Sequence, residues 1–230
     1  DDDLVKRIAT VLNSGKKTAL LLGGRVLREE GLLAASQIAE KTGATLFCEV
    51  FPTRLQRGAG VPHVERIAYL AEMASVQLEE FENLILVDAK APVSFFAYPD
   101  KKSYLVPEHC EVHNLIEQEQ DALGSLHAIV SAVEATNTPA KTPAPDRPNL
   151  PGGKLTAAKV CQAIGALLPE NAIISDEAQT SGVMLPACTA NAPKHDLLTL
   201  TGGAIGQGLP VAVGAAVACP DRPVLTLAGD

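Results

Sequence analysis

Thr201-Gly202-Gly203-Ala204-Ile205-Gly206-Gln207-Gly208-Leu209-Pro210, followed by Val224-Leu225-Thr226-Leu227-Ala228-Gly229-Asp230, is the stretch from which the fold is read. Glycines without Cβ atoms let backbone approach a ligand closely and adopt positive φ. Pro210 suits the first turn of a helix, which the small residues continue through Val217. The aliphatic run from Val224 reads as a buried strand that delivers Asp230 to a strand–loop junction, where open α/β sheets bind their ligands. This pattern predicts a site for a phosphorylated ligand and a divalent cation. The same residues also fit a plainer reading, with glycines packing a helix tightly on a sheet and an Asp capping the next helix. The sequence ends on the expected metal ligand, so the chain is expected to carry only part of such a site.

Working outward, strands and helices alternate. Apolar spacing over residues 4–13 predicts a helix, with Asn13-Ser14-Gly15 punctuating its end. Thr18–Leu22 reads as a strand running into Gly23-Gly24, followed by a helix over 26–41 closed by Gly43. Further strands are expected at 44–50, 84–88 and 111–113, and helices at 62–75 and 122–135. Beyond them come a helix over 155–168, a strand over 172–175 and a polar loop starting at Asp176-Glu177. Such alternation predicts an α/β fold with parallel sheets. Gly23-Gly24 lacks the full dinucleotide fingerprint and reads as a tight βα turn.

Pro139, Pro143, Pro145, Pro148 and Pro151 crowd a segment with scarcely an apolar anchor, which marks an extended linker. The expected organisation is a Rossmann-like central domain over 1–137, a linker over 138–151, and part of a second α/β domain over 152–230.

Composition sets the class. Of 230 residues 47% are hydrophobic but only 3% aromatic, with no Trp, so the core must be Leu, Val, Ile and Ala. A net charge of −8 without clustered Lys and Arg argues against nucleic acid. No apolar run reaches the roughly 18 residues of a membrane span, and the amino end is acidic, unlike a secretory signal. The five cysteines are scattered without a C-x-x-C pair, as in free thiols of a reducing cytoplasm. His109 and His113 share a strand face without a third ligand, whereas His63, His127 and His195 read as surface or capping residues. Spacing supports no Ser-His-Asp or Cys-His arrangement.

Thr201 to Asp230, with its Gly-Leu-Pro and Pro220-Asp221-Arg222-Pro223-Val224, closely resembles the diphosphate-binding domain of thiamine-diphosphate-dependent enzymes, of the acetolactate synthase and benzoylformate decarboxylase group. Leu168-Pro169-Glu170-Asn171-Ala172-Ile173-Ile174 and Asp176-Glu177 look like the opening of that domain. Residues 4–135, including Phe51-Pro52-Thr53-Arg54 and Ala91-Pro92-Val93, look like the central domain. The resemblance implies a second domain and half of a third. The pyrimidine-binding domain, with the family's glutamate that protonates the aminopyrimidine, would precede Asp1, leaving no catalytic residue of its own in this chain.

Carried over by position, the resemblance implies that Asp230 ligates Mg²⁺, with Gly229 opening the metal motif. It further implies that the Gly203 carbonyl accepts from the 4′-amino group, and that the Ile205 N–H faces a pyrimidine nitrogen. The Ile205 side chain would wedge the cofactor into its bent form, where the family often has Met or Leu. Gln179, Thr180 and Ser181 would hydrogen-bond the diphosphate. The implied activity is decarboxylation of a 2-oxo acid, ending in aldehyde release or carboligation, in a homodimer or homotetramer. Ala97 stands where benzoylformate decarboxylases carry a histidine, and no FAD-holding arginine segment is recognisable over 88–98, so FAD is not expected. The isolated chain is expected to be inactive. Another reading is a non-catalytic binding or regulatory module that keeps the fold.

Overall fold

The computed structural model describes residues 2–116 and 121–229. These form two compact units, one of Asp1–Val50 with Val64–Lys141 and one of Phe51–His63 with Thr142–Asp230.

In the first unit, α1 (Asp2–Leu12) precedes β1 (Thr18–Leu22), a short 3₁₀ turn (Gly24–Leu27), α2 (Glu29–Thr42) and β2 (Thr45–Cys48). After β3 (Leu55–Arg57), which belongs to the second unit, come β4 (Glu65–Arg66), α3 (Ala71–Leu78), β5 (Asn83–Val87), β6 (Glu111–Asn114) and α4 (Ala122–Ala132). Five strands pair in the order β4-β2-β1-β5-β6, all parallel. β1 and β5 are buried at every residue, which is why both read as unbroken apolar runs with helices on either side. Ala19, Leu21, Leu84 and Leu86 face Ala74, Leu78 and Phe81 on one side of the sheet. Elsewhere in the core Ile8, Leu32, Ile38, Leu126 and Ile129 are fully buried on α1, α2 and α4. Gly43 ends α2 at φ 78°, its N–H donating to the Ala39 carbonyl, as its place in the sequence predicts.

The helix expected over 62–75 is corrected. Glu65 and Arg66 pair with Phe47 and Cys48 as the edge strand β4, and the helix begins only at Ala71. The apolar spacing of Val64, Ile67 and Leu70 mimics a helix, but a sheet edge recruits two of the intervening residues. The Arg66 guanidinium fixes that edge by donating to the Val50 carbonyl at 2.7 and 3.0 Å.

The second unit contains α5 (Ala157–Leu167), β7 (Ile173–Asp176), the one-turn α6 (Leu185–Cys188), β8 (His195–Leu198), a 3₁₀ turn (Thr201–Gly203), α7 (Gly208–Ala218) and β9 (Val224–Leu227). Its sheet runs β3-β8-β7-β9, with β3 antiparallel to β8 and the other pairs parallel. The sequence reading does not foresee this excursion of Phe51–His63, whose pairing spans well over a hundred residues. The proline-rich connection contains no helix or strand. It is held by single hydrogen bonds, among them Lys141 N–H to Ser36 Oγ (2.9 Å) in the first unit and Asp146 N–H to the Asn191 carbonyl (3.1 Å) in the second. No helix among the described residues is long and apolar enough to cross a membrane.

His195 also departs from its sequence reading. It lies in β8 at 1% exposure, and burial pushes its pKa down to about 4. Nδ1 lies 2.8 Å from the Pro193 carbonyl, and the buried Nε2 has no hydrogen-bond partner. A group neutral in the fold but protonated below about 6.5 when unfolded favours unfolding as the pH falls from 6.5 towards 4. His195 is therefore expected to cost about 2 kcal/mol of stability by pH 5. Urea unfolding of wild type and His195→Phe between pH 7 and 5 checks this, since the Phe variant should lose less.

Candidate functional site

Parallel β7, β8 and β9 point their carboxyl ends to one edge of the second unit's sheet, where the expected residues lie. β7 ends at Asp176, and Glu177, also buried, leads into a turn that exposes Gln179, Thr180 and Ser181. β8 ends at Leu198 and runs through Thr199 and Leu200 into the glycine turn. β9 ends at Leu227, ahead of Ala228 and Gly229. Asp230 lies outside the described residues.

The glycines divide by role. Gly202 (φ 64°) and Gly206 (φ 91°) are left-handed with open space where a Cβ would stand, so conformation demands them. At Gly208 a Cβ would stand 2.6 Å from Glu177 Oε2, and at Gly229 one would stand 2.8 Å from the Glu177 carbonyl oxygen, so contact demands those. Ala204 (φ −76°, ψ 87°) centres an inverse γ-turn in which the Ile205 N–H donates to the Gly203 carbonyl at 3.0 Å. The two backbone groups expected to read a pyrimidine thus sit on one turn and satisfy each other. The Ile205 side chain projects from it at 77% exposure.

Three further side chains brace this edge, none of them foreseen. Glu177 accepts from the Gly206 N–H and, at 2.6 Å, from the Gly208 N–H, closing the start of α7 onto the end of β7. Gln207 Nε2 donates to the Thr199 carbonyl at 2.9 Å and lies 3.2 Å from Thr201 Oγ1, so it spans the turn from within. Thr199 Oγ1 in turn donates to the Pro52 carbonyl at 2.7 Å, tying the turn to the excursion. One signal was available for Glu177, since a carboxylate directly after a buried strand needs donors, and glycine-rich turns are rich in free N–H groups.

Asp196 anchors the back of the sheet. Its carboxylate accepts from Arg54 Nε (2.8 Å) and Nη2 (2.9 Å), and from Arg222 Nη2 (2.6 Å). Burial alone would raise its pKa, but hydrogen bonds from the two guanidinium groups outweigh it and hold the carboxyl below its ordinary value.

A backbone carbonyl and N–H on one turn, an exposed branched side chain, and hydroxyls at a strand end suit a cofactor with an aminopyrimidine and a diphosphate. Residues 176–230 match the family of the thiamine pyrophosphate enzyme C-terminal TPP binding domain. The chain is 54% identical over 223 residues to a Mycobacterium tuberculosis (strain ATCC 25618 / H37Rv) protein, the "Putative acetolactate synthase large subunit IlvX", covering 97% of this chain and 43% of that protein. In fold it is similar to the Rhodococcus jostii RHA1 thiamine diphosphate-dependent 4-hydroxybenzoylformate decarboxylase (TM-score 0.74, 22% identity, 99% of this chain and 46% of the other). It is also similar to benzoylformate decarboxylase from Polynucleobacter necessarius (TM-score 0.70, 20% identity, 100% and 46%). The chain is thus similar, in sequence over residues 176–230 and in fold throughout, to thiamine-diphosphate-dependent enzymes. It spans a little under half the length of these relatives.

Proposed function

We propose that this chain is part of a thiamine-diphosphate- and Mg²⁺-dependent 2-oxo acid decarboxylase or carboligase, similar to an acetolactate synthase large subunit. The observation that carries the reading is the turn that brings together the Gly203 carbonyl, the Ile205 N–H and the exposed Ile205 side chain, inside the span that matches the family's binding domain. When bound, thiamine diphosphate supplies the electron sink that lets carbon dioxide leave a 2-oxo acid.

The protein's part is positioning. The Gly203 carbonyl and Ile205 N–H would give up their mutual hydrogen bond to accept from and donate to the aminopyrimidine. The Ile205 side chain, stiff at χ1, supplies a firm apolar fulcrum. Thr180 and Ser181, with Gln179, would offer donors to the diphosphate, and Asp230, which follows Gly229 in sequence, would supply the carboxylate for the hard cation. The pyrimidine-binding domain of a second subunit completes the site, making the working form a homodimer or homotetramer in the cytoplasm.

The test is calorimetric titration of the full-length protein with thiamine diphosphate, with Mg²⁺ and after chelation. Saturable binding that chelation abolishes is expected. Absence of binding with Mg²⁺ present would reject the reading in favour of a module that keeps the fold without the chemistry. Product analysis with pyruvate then separates acetolactate formation from aldehyde release.

A further inference from the structure

Glu177 touches three pieces of the site edge at once. Its side chain receives the Gly206 and Gly208 N–H groups on either side of Gln207. Its own N–H donates to the Leu227 carbonyl at 2.8 Å, continuing the β7–β9 ladder past the end of β7. Its carbonyl oxygen fills the space a Cβ would need on Gly229. The residue is 4% exposed, and these contacts take both carboxylate oxygens. Gly206 follows Ile205 directly, and Gly229 precedes Asp230. The side chain thus fixes the residue after the wedge, and the main chain fixes the residue before the expected metal ligand.

From this we infer that Glu177 is a positioning residue that sets the pyrimidine-reading turn and the Gly229 end of the segment after β9 at a fixed separation, acting on a cofactor it does not touch. The inference rests on the reading of the turn as a thiamine diphosphate site. A carboxylate suits the task because two parallel acceptors hold two amides at a set spacing. A glutamine offers one acceptor and turns an NH₂ group towards the second N–H, so it keeps the volume while breaking the clasp.

The experiment compares full-length wild type with Glu177→Gln, and adds Glu177→Asp, which keeps both acceptors but is one methylene shorter. In cofactor-free protein, amide exchange at Gly206 and Gly208 should quicken on the order of tenfold or more in Glu177→Gln, while β7 amides keep their protection. The thiamine diphosphate dissociation constant should rise, and kcat at saturating cofactor should fall, each on the order of 10-fold. Glu177→Asp should recover part of both. A residue that merely stabilises the fold would quicken exchange across the whole sheet and leave kcat at saturation unchanged. That result, or a folded Glu177→Gln with affinity and kcat within twofold of wild type, overturns the inference. If wild type itself fails to bind thiamine diphosphate, the functional reading fails, and with it Glu177's role toward the cofactor. The exchange measurement then still decides whether Glu177 holds the turn.

Discussion

Asp196→Ala is expected to destabilise the second unit by about 3 kcal/mol, near the lower end of what breaking a buried ion pair costs. The carboxylate is 2% exposed, whereas Arg54 and Arg222 retain 39% and 26% of their side-chain exposure. Removing Asp196 takes the carboxylate from two guanidinium groups that can partly reach water, and Arg222 keeps its bonds to the Asn171 and Ala172 carbonyls, which keeps the cost from the top of the range. What is lost is also topological. Arg54 comes from the Phe51–His63 excursion and Arg222 from the loop before β9, so a single carboxylate pins segments from both ends of the sheet order. The pH dependence has a definite sign. A carboxyl whose folded pKa lies below its ordinary 3.8 contributes stability that is present above that value and lost as the pH falls through the folded value. The gap between wild type and Asp196→Ala should accordingly hold from pH 7 to about 4 and narrow below it. Tyr69, Tyr98 and Tyr104 all lie in the first unit and the chain has no Trp, so amide exchange in β8 is the suitable probe. Equal protection of β8 in the two proteins at pH 7 would refute the argument.

How far the sequence could be read follows the range of the interactions that fix each element. β1 and β5 are legible because burial on both faces of a parallel sheet leaves an uninterrupted apolar run, and Gly43 is legible because a left-handed cap is a local demand. The glycine turn is legible for the same reason. β3 and β8 are not. Leu55-Gln56-Arg57 and His195-Asp196-Leu197-Leu198 are short and half polar, and their strand character exists only in each other's presence. Nothing near Asp196 in sequence marks its partner, since Arg54 lies over a hundred residues away. Of the candidate site, the residues that would meet a ligand through backbone or exposed side chains could be proposed from the glycine pattern and the family resemblance. Those that hold the turn are less legible: a carboxylate after a buried strand, as at Glu177, calls for donors, but nothing local shows which groups it or Gln207 will meet.

Ile205→Ala is expected to lower kcat of the full-length enzyme about 100-fold, the scale on which a displacement of roughly 1 Å acts on a positioned reaction. The side chain is 77% exposed on a turn whose shape is set elsewhere, by the Glu177 contacts to Gly206 and Gly208 and by Gln207 to Thr199 and Thr201. Truncation should therefore leave the turn and overall stability unchanged to within about 0.5 kcal/mol. Cofactor affinity should fall only a few-fold, because on the proposed reading the aminopyrimidine would be held through the backbone of Gly203 and Ile205, and only methyl and methylene contacts are removed. The kinetic signature is a large loss in kcat with a small change in the thiamine diphosphate dissociation constant. Ile205→Met should restore most of the turnover and Ile205→Ser should not, since the fulcrum needs apolar bulk rather than a particular branching. A kcat within threefold of wild type for Ile205→Ala would remove the wedge from the mechanism while leaving the binding edge intact. A parallel collapse of affinity and kcat would instead mean that the side chain is needed to hold the turn, contrary to the braces supplied by Glu177 and Gln207.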